Sequence, residues 1–411
     1  VGRLSSSQVQ NLSAEQLKSL TTANIAALKM TGLSSAKIQV LDAEEFGFLS
    51  ANALTTLSTE QVGYITTAQL NKLVSANVTG LALEGVSSAD IKTLLPNTVG
   101  GLSTQQVKGL ALSQVQGLST SQIDKLATQQ LSVLTSANIA GLSVEAVSSD
   151  EVASLATSAL LGVSTAQVNS LAPAQVQSLT VNQVIALSTT QLAAFSTTNV
   201  TGLGTLQVQS VATDKVRSIE SDDVNVLSQA QVAALTSMQV GQLSTSQVSA
   251  FTSTNVSGLS VVALDGVALG VIAPSIFGAL SSGSLSKLAS SQVAFLSTAQ
   301  FDALTSANIA GIDFAGLSNN QLKALNAANI PGVQTAQVAK VDQSVMSFIE
   351  NADLALLSSA QVAAFSSAQI ERLQAGQFAA FTTANFDGVA IAGMVASDVA
   401  ELSPSIFSTM S

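Results

Sequence analysis

LSQAQVAA (residues 227–234), LTSMQVGQ (235–242) and LSTSQVSA (243–250) are three consecutive copies of one eight-residue phrase. They belong to a run from Val163 to Gly258 that divides into twelve octads without a gap. Position 1 is apolar throughout, and position 6 is Val in eleven octads and Leu192 in the other. Position 5 is Gln or Asn in ten, with Lys215 and Asp223 the exceptions. Regularity of this kind marks a repeat architecture.

In the third copy each position meets one requirement of a helix start. Ser244 at the N-cap can accept from the backbone N–H of Gln247, while the Gln247 side chain accepts from the Ser244 N–H, a capping box. Leu243 then falls at N′ and Val248 at N4, whose side chains clasp across the helix entry. One octad therefore encodes one helix start. Gly at position 8, as at Gly80, Gly109, Gly117, Gly141, Gly202 and Gly258, predicts a helix end in the left-handed conformation.

The period separates rival folds. A continuous helix turns about 100° per residue, so eight residues leave roughly 80° of drift and the Leu/Val stripe would spiral round a rod. In a strand, positions 1 and 6 point to opposite faces. Serial helices of one to two turns fit both facts. A β-solenoid buried on both faces stands as the alternative. Helices this short are unstable alone, because nucleation fixes several dihedrals for one hydrogen bond. Each must therefore lend its Leu and Val to an interior shared with its neighbours, which is the logic of a solenoid.

The same frame covers the whole chain once five-residue units are allowed at Leu28, Leu81, Leu142, Leu259, Ile312 and Val389. Forty-seven octads and these six pentads fill the 406 residues from Leu4 up to Met410. No linker interrupts the frame, so the expectation is one continuous solenoid over residues 1–411. Pentads such as Leu81-Ala82-Leu83-Glu84-Gly85 are apolar at alternate positions, which predicts short extended segments stacked as a narrow parallel ladder. Asn replaces Gln at position 5 at Asn24, Asn77, Asn138, Asn199, Asn255, Asn308, Asn329 and Asn385. Asn tolerates turn conformations, so these octads read as corners marking coils of six or seven octads. The five prolines, at 96, 173, 274, 331 and 404, all fall inside the frame. Pro274 and Pro404 each open the phrase Pro-Ser-Ile-Phe, where Pro suits a first helical turn. The final unit, opening at Met410, reads as a cap or a truncation. Val1-Gly2-Arg3 shows neither Met nor a signal peptide, which points to a processed chain or a portion of a longer one.

Charged residues make up 9% of the chain, against about 25% in typical domains. The exterior must then be Ser, Thr, Gln, Asn and Ala, a surface with little self-repulsion. A net charge of −11 with only 14 basic residues argues against nucleic acid. Cys and His are absent, which removes the commonest metal ligands and general base and leads to the expectation of no enzyme activity and no cofactor. No apolar run reaches the about 18 residues a membrane span needs.

Two patterns could carry chemistry. Glu220, Asp222 and Asp223, with Asp214 nearby, form the densest acidic cluster and the one candidate metal site. They also fill ordinary octad positions, with Glu220 at N-cap and Asp223 at N3, where carboxylates favour a helix start. Glu44 and Glu45 invite the same account. Asn77-Val78-Thr79, Asn199-Val200-Thr201 and Asn255-Val256-Ser257 match the glycosylation triplet, but Asn recurs at position 5 for structural reasons.

The Leu-Ser/Thr-x-x-Gln-Val octads resemble repeats in very large bacterial surface or adhesin-type proteins. That resemblance covers the whole chain and carries over no functional residue; it implies secretion to the cell surface. The expectation is a mainly α solenoid with a structural role, a self-assembling extracellular filament, sheath or surface layer. The alternative is a monomeric adhesin solenoid recognising a glycan, ice or a protein ligand.

Overall fold

The computed structural model describes residues 1–408, so the unit opening at Met410 lies outside the described residues. Two compact units, Val1–Ser210 and Val211–Ser411, make up the chain, and both are built in the same way. Helices of four to six residues follow one another, as at Gln229–Ala233, Ser237–Val240 and Thr245–Ser249. Between them, positions 1 and 2 are extended: Leu227 has φ −58°, ψ 140° and Ser228 φ −70°, ψ 158°. Two extended residues make each corner, and the helix makes each side. Among the described residues there is no strand, so the chain is a mainly α solenoid and the β alternative falls.

The predicted capping box is present in full at the type octad. Gln247 N–H donates to Ser244 Oγ at 3.2 Å and Ser244 N–H to Gln247 Oε1 at 2.9 Å. Val248 is 1% exposed and Leu243 7%, so both clasping side chains belong to the interior. Where Ala occupies the cap, as at Ala111, half the box survives: Ala111 N–H still donates to Gln114 Oε1 at 2.8 Å. Pro96, Pro173, Pro274 and Pro404 all sit in the first turn of their helices, where the missing N–H removes no bond.

The coil is smaller than the Asn spacing suggested. Gln247 Nε2 donates to Val216 O at 3.0 Å and Ile219 O at 2.7 Å, 31 and 28 residues earlier. Gln122 does the same to Ile91 O and Leu94 O at 2.9 and 2.8 Å, at the same separations. Each octad therefore rests on the octad 24 residues before it, and one turn is three units. Where a pentad intervenes the separations shrink to 28 and 25, as from Gln106 to Val78 O and Leu81 O. The Asn residues do not mark turns.

The pentads are not extended. Each forms a single 3-10 turn, such as Leu83–Gly85, Val144–Ala146 and Phe314–Gly316. Five residues leave room for an extended corner and one tight turn but not for an α-helical one, and a 3-10 turn can still bury both apolar positions. Leu81 and Leu83 are both buried, although Ile391 in the last pentad is 60% exposed. No ladder of pentads exists, because successive pentads open at least 53 residues apart while stacked units are 21 or 24 apart. A pentad is one short side of its turn.

Glycine at position 8 serves a purpose other than the one its spacing suggested. No glycine among the described residues has positive φ. Instead, a Cβ on Gly80 would lie 1.9 Å from Ala51 O, and one on Gly202 2.1 Å from Pro173 O. Both are the last residues of Asn units. The Asn77 side chain makes the same bonds as Gln, accepting from Val74 N–H at 2.9 Å and donating to Gly47 O at 2.8 Å and Leu49 O at 3.1 Å. At Gly80 and Gly202, as at Gly162 in a unit with Ala159 at position 5, whose Cβ would lie 2.0 Å from Ser136 O, the backbone passes so near the turn beneath that only glycine fits. Gly80→Ala is expected to lose about 2–3 kcal/mol in urea denaturation. Gly109→Ala, whose Cβ would meet nothing nearer than Glu84 Oε1 at 3.9 Å, is expected to be neutral or up to about 1 kcal/mol stabilising. Equal losses at both sites would refute close approach as the reason for the glycines.

Candidate functional site

Position 5 is the one place where the repeat draws a polar side chain into the interior. Gln69, Gln122, Gln239, Gln247 and Gln300 are all no more than 1% exposed. A neutral amide suits this place because it has an acceptor for the cap N–H and two donors for the carbonyls left over at a helix end in the preceding turn. The sequence showed the first of these roles. The second is long-range, and no local spacing announces it.

A carboxylate at position 5 cannot fill the second role, so acidic substitutions there are the candidates for chemistry. Asp223 stands at N3 of Ser221–Val226, as expected, but it is buried and not solvated. Its Oδ2 has no hydrogen-bond partner. Burial, then the charges of Glu220 and Asp222, push its carboxyl up to about 6. Glu220 and Asp222 stay exposed, and Glu220 makes no side-chain cap bond. The three do not converge: among the described residues no group of three His, Cys, Asp or Glu side chains is placed to hold a metal ion.

Asp353 is the more strongly perturbed of the two, and it was not singled out by its sequence neighbourhood. It lies at N3 of Asn351–Leu356, is 4% exposed, and its Oδ2 also lacks a partner. Burial and then Glu350 push its carboxyl up to about 7. It borders an interior cavity of about 30 Å³, roughly one water in size, whose other walls, including Phe314, Leu322, Leu325 and Phe365, are all apolar. A second cavity of about 30 Å³, walled by Leu142, Val144 and other apolar residues, sits in the first unit. Both cavities are bordered by a pentad, whose short side leaves the turn incompletely filled. The frame itself is the signal that finds Asp353: it is a carboxylate where the repeat requires an amide.

The glycosylation triplets are not accessible. Asn77, Asn199 and Asn255 are buried, and their amides are taken up by backbone carbonyls; Asn255 Nδ2, for example, donates to Leu227 O at 3.0 Å. Ion pairs at the surface include Lys18–Glu15 at 3.6 Å and Lys340–Asp313 at 3.3 Å, which solvent screening leaves worth little. More informative are exposed apolar side chains on stacked sides. Leu161, Val181, Ile185 and Leu206 are 69, 39, 46 and 69% exposed. Their segments, 159–162, 181–186 and 205–210, pack one on the next, so these side chains run along one face of the first unit. In the second unit Phe295 lies over Gly266, leaving its ring and Val267 61 and 64% exposed. No helix among the described residues is long and apolar enough to cross a membrane.

A search of the curated proteins found no match to this chain. Residues 216–260 and 346–383 match the model of a family described as the ALTTAQ repeat. The first match spans the octads with which the frame was set, and the second contains Asp353. Together with the three-unit turns, these matches make the chain a repeat protein.

Proposed function

We propose that this protein is a self-assembling structural subunit of an extracellular filament, sheath or surface layer on a bacterial cell, and that it is a scaffold without a catalytic role. The observation that carries this reading is the apolar row of Leu161, Val181, Ile185 and Leu206, repeated on successive turns and left uncovered. Contiguous exposed apolar surface marks a contact, and a periodic row is matched most simply by another periodic row. With charged residues at 9%, little electrostatic repulsion opposes the approach of copies. The absence of Cys and His from the sequence and the resemblance to large surface proteins support a structural role at the cell exterior.

The test is negative-stain microscopy and sedimentation of the purified chain beside a Leu161→Lys, Leu206→Lys double variant. Ordered fibres or sheets are expected from the natural chain. The variant is expected to need at least about tenfold more protein to assemble, since two buried leucines are worth about 3 kcal/mol or more together, with its melting temperature unchanged because neither side chain is buried. Dispersed particles from the natural chain at all concentrations would overturn the proposal and favour a monomeric binding solenoid, for which glycan binding is the next measurement.

A further inference from the structure

We propose that Asp353 is a proton-operated lock between turns of the second unit, which holds its turn to the one beneath when protonated and releases it when ionised. The argument starts from the repeat. In the neighbouring octads, Gln361 donates to Ile330 O and Val333 O at 3.1 and 2.7 Å, and Gln369 to Val338 O and Val341 O at 3.2 and 2.7 Å, in each case 31 and 28 residues back. The same steps from Asp353 reach Leu322 and Leu325, and both residues share the walls of its cavity. A carboxylate brought to two carbonyl oxygens brings acceptors to acceptors. Its Oδ2 is buried and unpartnered, and burying such a group without a hydrogen bond is costly. Protonation turns that oxygen into a donor, and its one O–H can then give one of the two bonds that an Asn amide gives. Asn385 shows the geometry an aspartic acid could copy: it donates to Leu354 O and Leu357 O, both at 3.0 Å.

The surroundings leave the proton to Asp353 alone. The segment beneath its helix, 325–332, and the segment above, 373–380, carry no charged side chain. Glu350 on its own helix disfavours the ionised form. Lys323 is exposed, with its ammonium 5.5 Å above the Phe348 ring, and it adds nothing to the shift at Asp353. The other cavity walls are apolar, so no base waits to take the proton within the interior. The folded carboxyl, at about 7, lies above its ordinary value of 3.8. Its stabilising effect is therefore complete below about pH 4 and is lost as pH rises through 7.

Thermal unfolding of the full chain between pH 4 and pH 9, beside Asp353→Asn, tests this. The natural chain is expected to lose melting temperature between pH 5 and pH 8 relative to the variant, which keeps the amide at all pH values, so that at pH 8 the variant melts at least about 5 °C higher. Amide hydrogen exchange localises the effect: protection of residues 349–357 is expected to fall with pH in the natural chain and to stay level in the variant after correction for intrinsic rates. Parallel melting curves would overturn the lock, as would a carboxyl carbon resonance of Asp353 that titrates near pH 4. Leu354→Ala in the same helix controls for general loosening; it is expected to lower both curves equally at every pH.

Discussion

Val248→Asp is expected to lose about 4 kcal/mol or more of stability and to melt the turns around it well before the rest of its unit. Val248 is 1% exposed and sits at the inner end of the Thr245–Ser249 helix, facing the shared interior. An ionised carboxylate there would stand among the apolar side chains of positions 1 and 6; of the nearest basic residues in sequence, Arg217 is exposed at position 7 and Lys215 is half-buried at position 5, and neither occupies those apolar positions. The charge must therefore be expelled by unfolding locally or neutralised by an upward shift of its own titration, and either course consumes a large part of a domain's margin. Circular dichroism against urea gives the measurement. A variant with wild-type stability, soluble and unchanged, would mean that position 6 is not the interior and would bring down the repeat account with it. Val248→Ala separates the charge from the lost methyl groups, and its cost is expected to be about 1–2 kcal/mol.

Gln300→Leu tests the other half of the design. Gln300 is fully buried; its Oε1 takes the Ser297 N–H at 2.9 Å, and its Nε2 gives to Leu269 O and Ile272 O at 2.9 and 2.8 Å. Leucine keeps most of the volume and removes these bonds, leaving the Ser297 N–H and the Ile272 carbonyl without protein partners and Leu269 O with only the Ile272 N–H at 3.2 Å. At about 1–3 kcal/mol for each such group, partly relieved by relaxation, the expected loss is about 3–5 kcal/mol. Gln300→Glu is expected to be worse at pH 8 than at pH 5, because the glutamate can serve as a donor only when protonated. Scanning calorimetry at the two pH values reads both. If Gln300→Leu cost less than about 1 kcal/mol, the amides would be mere helix caps.

What the sequence could and could not disclose divides along the same line. The helix starts were legible. The Ser244–Gln247 box, the Leu243–Val248 clasp and the prolines in first turns all depend on partners within five residues, and each is found where the spacing put it. The coil was not legible, because the bond that defines it joins Gln247 to Val216 and Ile219 and leaves no trace in the octad itself. The Asn units are conspicuous, but their spacing is not that of the coil. Seven of the eight end in glycine, and at Gly80 and Gly202 the reason is a close approach of two turns that the octad alone does not show. The pentads misled for a related reason: alternation at positions 1 and 3 is shared by a strand and by a 3-10 turn whose two apolar residues both face inward. As for the candidate site, the cluster of Glu220, Asp222 and Asp223 drew notice by density of charge. Asp353, isolated in sequence, is marked only by standing where the interior asks for an amide.

The three-unit turn has a genetic corollary. Loss of 24 residues at any point in the octad runs removes one whole storey and leaves every remaining side chain on the wall it had before. Loss of eight removes one wall, so each later unit moves to the adjacent wall, about a third of a revolution on, and an outward-facing row such as Leu161 to Leu206 would be cut in two and its halves set on different faces. Natural length variants of such a chain should therefore differ by multiples of 24, or of 21 where a pentad goes with them, and a mismatch of eight should fold soundly yet fail to dock.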